Sequence, residues 1–162
     1  NQGRPNSGTF IHPSLGMNFR VTDIQSGIGL AQLEKLPKIL KKKLKNYNLY
    51  KDLLEGIGDL EFLKIEKGST FVPFRFVIKT QFKDELCEHL EGNGIQVRSF
   101  FYPMHKQPPL KDYVTDDQAF SVSEDLYEKG ICFPLHLYLK NSDIAYIANK
   151  IKEFFIGRKN KK

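Results

Sequence analysis

An amide and a guanidinium stand close together near the start of the chain, at Asn18 and Arg20. Thr22 and Gln25 follow with the S/T-x-x-E/Q spacing of a capping box, in which each side chain satisfies a backbone N–H at a helix start. Asp23 adds negative charge to the first turn, which the helix dipole favours. Helix N-termini attract anions and arginine binds phosphate oxygens, so this pattern is typical of an anion site. A polar loop that enters a helix and binds nothing is the alternative.

A second group of polar side chains comprises Tyr102, His105 and Lys106, in a segment that also contains Pro103, Pro108 and Pro109. Prolines hold such a segment extended, which is a composition typical of a binding loop. A tyrosine and a histidine each offer a flat ring and a hydrogen-bond donor, which suits a sugar nucleotide. For His105 the alternative is a hydrogen bond to a backbone carbonyl. Lys106 is a poor candidate for amine chemistry, because an exposed lysine is not desolvated enough to lower its pKa.

These residues also carry a family resemblance. Three stretches, in this order, resemble the DegT/DnrJ/StrS sugar aminotransferases: Gly16–Gln25 with Ala31–Leu36, Gly94–Arg98 with Phe101–Pro108, and Gly130–His136. Enzymes of this family use pyridoxal phosphate (pyridoxal 5'-phosphate) to move an amino group from glutamate to a nucleotide-linked keto sugar, in polysaccharide biosynthesis among other settings. The resemblance covers nearly all of this chain but only the C-terminal part of such an enzyme.

The resemblance implies roles for four residues. Asn18 would bind the cofactor phosphate of the neighbouring subunit, which requires a homodimer, and Arg20, Tyr102 and His105 would contact substrate. The Schiff-base lysine and the acidic partner of the pyridinium nitrogen belong to the family's N-terminal part and have no counterpart here, so we expect no catalytic residue in this chain. Without that lysine we expect the chain to be inactive alone. Residue 1 is Asn rather than Met, so we expect the chain to begin inside a longer product or to have been processed. A non-catalytic stand-alone binding or assembly module, from a truncated or split gene, is the alternative.

Composition and charge exclude several other classes. The net charge of +6 comes largely from a lysine-rich helical region and a basic C-terminal end, and no nucleic-acid motif accompanies it. A solvated helix face and tail are therefore expected, with nucleic-acid binding through the lysine face as the alternative. No apolar run is long enough to cross a bilayer. Cys87 and Cys132 lie far apart in apolar surroundings, which predicts buried free thiols and a cytoplasmic location. The four histidines show no zinc spacing, so no metal is expected, and His89 is predicted to be solvated beside acidic residues.

Hydrophobic patterning predicts an α/β chain, or α+β small domain. Residues 1–20 are expected to form a loop from a preceding large domain, and residues 21–162 the C-terminal small domain that the resemblance assigns to a fold type I aminotransferase. A long bent helix begins at Asp23, is kinked at Pro37 and stops at Gly56. Strands are predicted within 60–65, 72–79, 95–100 and 131–134, giving a small, mostly antiparallel sheet covered by helices. The helices are predicted around Leu86, after a Ser121–Glu124 capping box, and from a cap at Asn141 or Ser142.

Overall fold

The computed structural model describes residues 14–115 and 119–159. The chain divides into two compact units, Asn1–Lys38 and Ile39–Lys162, and each is described by itself. Most of the predicted leading loop, with His12, and the last basic residues, Lys161 and Lys162, lie outside the described residues.

The described part of the first unit consists of a segment without regular structure through Thr22, followed by the beginning of helix α1 (Asp23–Leu54). Ile24, Ile28 and Leu33 on this helix are 78, 61 and 62% exposed. A Cβ built at Gly27 would have no neighbour within 4 Å. Packing among the described residues of the first unit therefore does not explain why these helix positions are apolar.

Helix α1 runs through Pro37, so the predicted long helix is confirmed, while its bend stays a prediction. Proline inside a helix removes one backbone N–H donor and disfavours the helix, so the residues that follow must have other reasons to be helical. Those reasons are the buried Tyr47, Tyr50 and Leu54 in the second unit. The nitrogen and oxygen of the Asn46 side chain are also buried there, without a hydrogen-bond partner among the described residues.

The second unit contains a four-stranded antiparallel sheet in the order β1-β2-β4-β3. Its strands are β1 (Glu61–Phe62), β2 (Phe76–Lys79), β3 (Arg98–Ser99) and β4 (Gly130–Phe133). In the register, Val77 pairs with Cys132, which in turn pairs with Arg98. The predicted small antiparallel sheet is therefore confirmed.

Helices α2 (Lys83–Gly92) and α4 (Asn141–Lys159) belong to the core together with the end of α1. One face of the sheet contributes its fully or nearly fully buried side chains to that core: Phe76, Ile78, Ile131 and Phe133. The predicted apolar stripe of the last helix is buried as well, at Ile144, Ile147, Ala148, Ile151 and Phe155. This single hydrophobic cluster fixes the strands that carry the loops discussed below.

The opposite face of the sheet carries Val77 and Cys132, which are 5 and 3% exposed but do not belong to that cluster. Helix α3 (Ser121–Lys129) contacts β4, and a Cβ added at Gly130 would collide with the backbone oxygen of Leu126. Glycine at this position thus permits the close approach of α3 to the sheet. Both cysteines are free, and burial raises the pKa of each thiol. Cys132 is buried as predicted, whereas Cys87 is only half-buried.

Three local predictions need correction. The strand predicted over 72–79 begins only at Phe76, because a strand needs a neighbour to pair with and the register starts there; Val72 is 54% exposed. The last helix is not capped by Asn141 or Ser142, which are already helical. Instead the Lys140 N–H donates to the Asp143 carboxylate at 2.9 Å. Ser121 also lies inside its helix, which Phe120 precedes without a side-chain cap.

Candidate functional site

The predicted capping box is present at the start of α1. The Thr22 N–H donates to the Gln25 side-chain oxygen at 2.9 Å, and the Gln25 N–H donates to the Thr22 hydroxyl at 3.3 Å. The Ser26 N–H donates to the Thr22 carbonyl at 2.9 Å, as the first helical bond. Reciprocal bonds of this kind fix both the first turn and the direction of the chain before it. The helix start is thus a rigid base for the residues that precede it.

Asn18 and Arg20 contact each other in that preceding segment. The Asn18 side-chain oxygen accepts hydrogen bonds from the Arg20 backbone N–H at 3.2 Å and from Arg20 Nε at 3.5 Å. Both residues are exposed. Among the described residues, nothing accepts a hydrogen bond from the terminal amino groups of Arg20 or the amide nitrogen of Asn18. These donors are oriented by local bonds yet remain available, which fits a phosphate or carboxylate group.

Tyr102 and His105 lie in the second unit, between β3 and α3. The Tyr102 ring is 43% exposed and packs edge-on against Tyr127, with centroids 5.1 Å apart. A short 3₁₀ turn, Met104–Lys106, follows, and a second, Pro108–Tyr113, continues the segment. The prolines thus support turns rather than the extended course that the composition predicted.

His105 is held firmly by residues of the α3 region. Its Nε2 lies 2.9 Å from a carboxylate oxygen of Glu124, and its ring stacks on Phe120 with centroids 4.3 Å apart. Its side chain is only 13% exposed. The alternative of a hydrogen bond to a backbone carbonyl is therefore wrong, because the partner of Nε2 is a carboxylate. This contact orients the ring and leaves less of it to contact a ligand than an exposed loop histidine would offer.

Glu124 is the residue that sequence reasoning misassigned. The same oxygen that contacts His105 also lies 2.9 Å from Lys106 Nζ. Hydrogen bonds from Lys106 and from His105 hold the pKa of the Glu124 carboxyl below its usual value. The predicted role in a capping box with Ser121 is wrong, because Ser121 is already helical and the Glu124 carboxylate contacts His105 and Lys106 instead. The sequence shows only that Glu124 is acidic and lies three residues after a serine. This spacing suggests a capping box and does not reveal a partner in a distant loop.

Lys106 does not fit the amine chemistry of a cofactor-binding lysine. Its hydrogen bond to Glu124 raises the pKa of its ammonium above the usual value. A lysine that forms a covalent bond to a carbonyl compound needs the opposite shift, since only the neutral amine is a nucleophile. The exclusion of Lys106 from this role is therefore supported by its surroundings.

Other predictions concern metals, membranes and His89. Within residues 14–115 and 119–159, no group of three or more His, Cys, Asp or Glu side chains is placed to hold a metal ion. In the same residues, no helix combines the length and apolar character that crossing a membrane requires.

His89 is not solvated as predicted: its Nε2 lies 3.0 Å from the backbone oxygen of Lys150, and its ring packs against Phe154.

Comparison with known proteins identifies the family. A family model for DegT/DnrJ/EryC1/StrS aminotransferases matches residues 1–152, and the chain belongs to that family. GDP-perosamine synthase of Vibrio cholerae is 31% identical over 96% of this chain and 43% of the relative. GDP-perosamine synthase of Escherichia coli O157:H7 is 30% identical over 90% of this chain and 40% of the relative. The chain thus spans about two fifths of the length of the curated relatives it matches.

Solved structures agree on the fold. DesV of S. venezuelae superposes with a TM-score of 0.83 at 19% identity, over 95% of this chain and 41% of DesV. A DegT DnrJ EryC1 StrS aminotransferase from Brucella abortus superposes with a TM-score of 0.82 at 22% identity, over the same shares of the two chains. The small antiparallel sheet with its long leading helix is therefore the fold of a part of these aminotransferases.

Proposed function

We propose that this chain is the C-terminal domain of a pyridoxal phosphate dependent aminotransferase that transfers an amino group from glutamate to a nucleotide-linked keto sugar in the cytoplasm. The observation that carries the proposal is the Asn18–Arg20 pair, ordered by its own hydrogen bonds ahead of a capped helix, in a member of this family. Relatives whose names specify nucleotide-sugar substrates, such as dTDP-4-amino-4,6-dideoxy-D-glucose transaminase of Shigella dysenteriae, support the substrate class.

The candidate residues of the two units have separate proposed tasks. The Asn18 amide nitrogen donates to the cofactor phosphate of the neighbouring subunit, and the terminal amino groups of Arg20 bind an anionic group of substrate. Tyr102 presents a partly exposed ring to the sugar nucleotide. His105, fixed by Glu124, contacts the substrate from the same loop as Tyr102. The cofactor, when bound, supplies the electron sink that transamination needs. The lysine that binds it comes from outside this chain, so the chain alone is inactive.

The test uses the proposed complete aminotransferase, in which an N-terminal part precedes this chain. That protein should show a visible absorption band from bound cofactor, and glutamate should bleach it. Asn18→Asp places a negative charge beside the phosphate, so cofactor affinity should fall about tenfold or more. Asn48→Asp, at an exposed position on α1, is the matched control and should leave affinity unchanged. A parent protein without the band and without bound cofactor contradicts the proposal and favours a non-catalytic binding module.

A mixing experiment tests whether Asn18 acts across a homodimer. A chain carrying Asn18→Asp is combined with a chain whose cofactor lysine is replaced. If Asn18 serves the neighbour's site, each mixed dimer regains one intact site, and random mixing restores about a quarter of native activity in a symmetric dimer. If Asn18 serves its own subunit, both sites of every dimer keep one defect. Absence of recovery would therefore show that the contact lies within one subunit or that no dimer forms.

A further inference from the structure

A cationic pocket of about 290 Å³ lies beside strand β4 in the second unit. The polar side chains and the thiol that line it are Lys43, Arg75, Gln96, Arg98, Cys132 and His136. Three of these side chains are positively charged, and none is a carboxylate. The pocket is open to solvent and large enough for a small oxyanion with part of a larger ligand.

The sheet and the segment before it bring the two arginines to the same pocket. Arg98 on β3 pairs directly with Cys132 on β4, and directly paired residues project from the same face of an antiparallel sheet. Arg75 lies in a bend just before β2, which pairs with β4 on the other side. Arg75, Arg98 and Cys132 all line the pocket.

Within residues 14–115 and 119–159, no carboxylate pairs with these three charges. None of the ion pairs formed by the described residues involves Lys43, Arg75 or Arg98. Lys43 Nζ donates to the backbone oxygens of Pro73 and Phe74, both at 3.3 Å, which anchors the ammonium. Three cations gathered without a counter-ion repel each other, so their arrangement is costly unless an anion joins them.

Aromatic rings border the same cations. The Arg75 guanidinium lies 5.0 Å from the centroid of Phe74 and 5.7 Å from that of Phe101. The two rings are 67 and 63% exposed. They hold the guanidinium in place through cation–π contacts and leave flat apolar surface at the rim of the pocket. Such surface suits a ring attached to the anion.

We infer that this pocket binds a diphosphate group, with Arg75 and Arg98 as its principal ligands and Lys43 as an additional charge. A singly charged carboxylate would compensate only part of the three positive charges, whereas a diphosphate matches them and offers oxygens to both guanidinium forks. The inference rests on the charges and geometry of the pocket and does not require the proposed function. The diphosphate can be free or can belong to a nucleotide whose ring lies over Phe74.

The experiment is calorimetric titration of the full 162-residue chain with sodium pyrophosphate and, separately, with GDP at low salt. Arg75→Gln and Arg98→Gln should each weaken pyrophosphate binding about tenfold, because each removes a charge-assisted hydrogen-bond fork. Lys67→Gln removes the same charge at an exposed position outside the pocket and should change affinity less than twofold. The thermal unfolding midpoint of each variant shows that it remains folded.

The outcomes separate clearly. Absence of pyrophosphate binding by the native chain, or equal binding by native chain and both arginine variants, overturns the inference. Tighter binding of GDP than of pyrophosphate, with the difference removed by Phe74→Ala, assigns the diphosphate to a nucleotide. Equal binding of the two assigns it to the free group. Because the titration needs only this chain, an inactive parent enzyme would refute the proposed function without touching this result.

Discussion

Asn18 and His105, two residues proposed to contact ligand, are positioned in different ways. Asn18 is ordered by hydrogen bonds to Arg20, two residues away, beside a helix start that caps itself. His105 is ordered by Glu124, nineteen residues further along the chain, and by the ring of Phe120. The geometry around Asn18 therefore needs only a short peptide and an intact first turn. The geometry around His105 needs the folded second unit.

The largest expected effect comes from truncating a core side chain of the second unit. The arrangement around His105 depends on this core, whereas the arrangement around Asn18 does not. Phe76 is fully buried, and its ring lies 4.6 Å from that of Tyr50 and 6.2 Å from that of Phe133, measured between centroids. Phe76→Ala should lower the free energy of unfolding by about 3–5 kcal/mol, because it leaves a large cavity. Chemical denaturation followed by circular dichroism measures this change.

The matched control is the same substitution in the first unit. Phe19 is 86% exposed, so Phe19→Ala should alter the free energy of unfolding of this chain by less than about 0.5 kcal/mol. Similar losses for the two variants would contradict the difference drawn between the two regions. They would mean that the segment around Asn18 is itself packed into the cooperative unit.

A smaller effect is expected at the helix start. Thr22→Ala removes the hydroxyl that accepts from the Gln25 N–H and should destabilise the first turn of α1 by about 1 kcal/mol. Amide hydrogen exchange of residues 23–26 should become about fivefold faster, while exchange in β4 stays unchanged. Ser26→Ala keeps the box intact and is the control. Faster exchange throughout the second unit would show that the cap is coupled to the whole fold.

The same distinction between local and distant contacts explains what the sequence could predict. The Thr22–Gln25 box and the stripe from Ile144 to Phe155 follow from spacings within one helix, and both are present. Glu124 was misassigned because its spacing from Ser121 matches a capping box, while its actual partner, His105, lies across a loop. His89 was misjudged for a related reason: its acceptor belongs to Lys150, on another helix.

The cationic pocket could not be predicted for a further reason. Arg75 precedes β2 and Arg98 lies on β3, and they line one pocket because both of these strands pair with β4. A single sequence gives the approximate extent of strands but not which strands are neighbours. Strand ends were likewise overestimated, as at 72–79, because pairing rather than composition decides where a strand begins.

The smallest expected effect is a pH dependence at Glu124, which tests whether the His105 arrangement contributes to stability. Hydrogen bonds from Lys106 and His105 lower the pKa of this carboxyl below 4.5 in the folded chain. Between the folded and unfolded pKa values the unfolded chain binds more protons, so stability rises with pH there. The contribution is fully present above about pH 4.5 and disappears as the pH falls through the folded value.

Glu124→Gln removes that titration. Its unfolding midpoint should lie about a degree or two below that of the native chain at pH 7, and the two should converge toward pH 3. Glu88→Gln, at an exposed position on α2, makes the same charge change and should run parallel to the native chain at all pH values. A constant offset for Glu124→Gln down to pH 3 would mean that the carboxylate charge is not what holds His105. The shape and hydrogen bonding of a neutral side chain would then be enough to hold His105 in place. The loop that contains His105 would in that case resemble the segment around Asn18, which needs no charge from a distant residue.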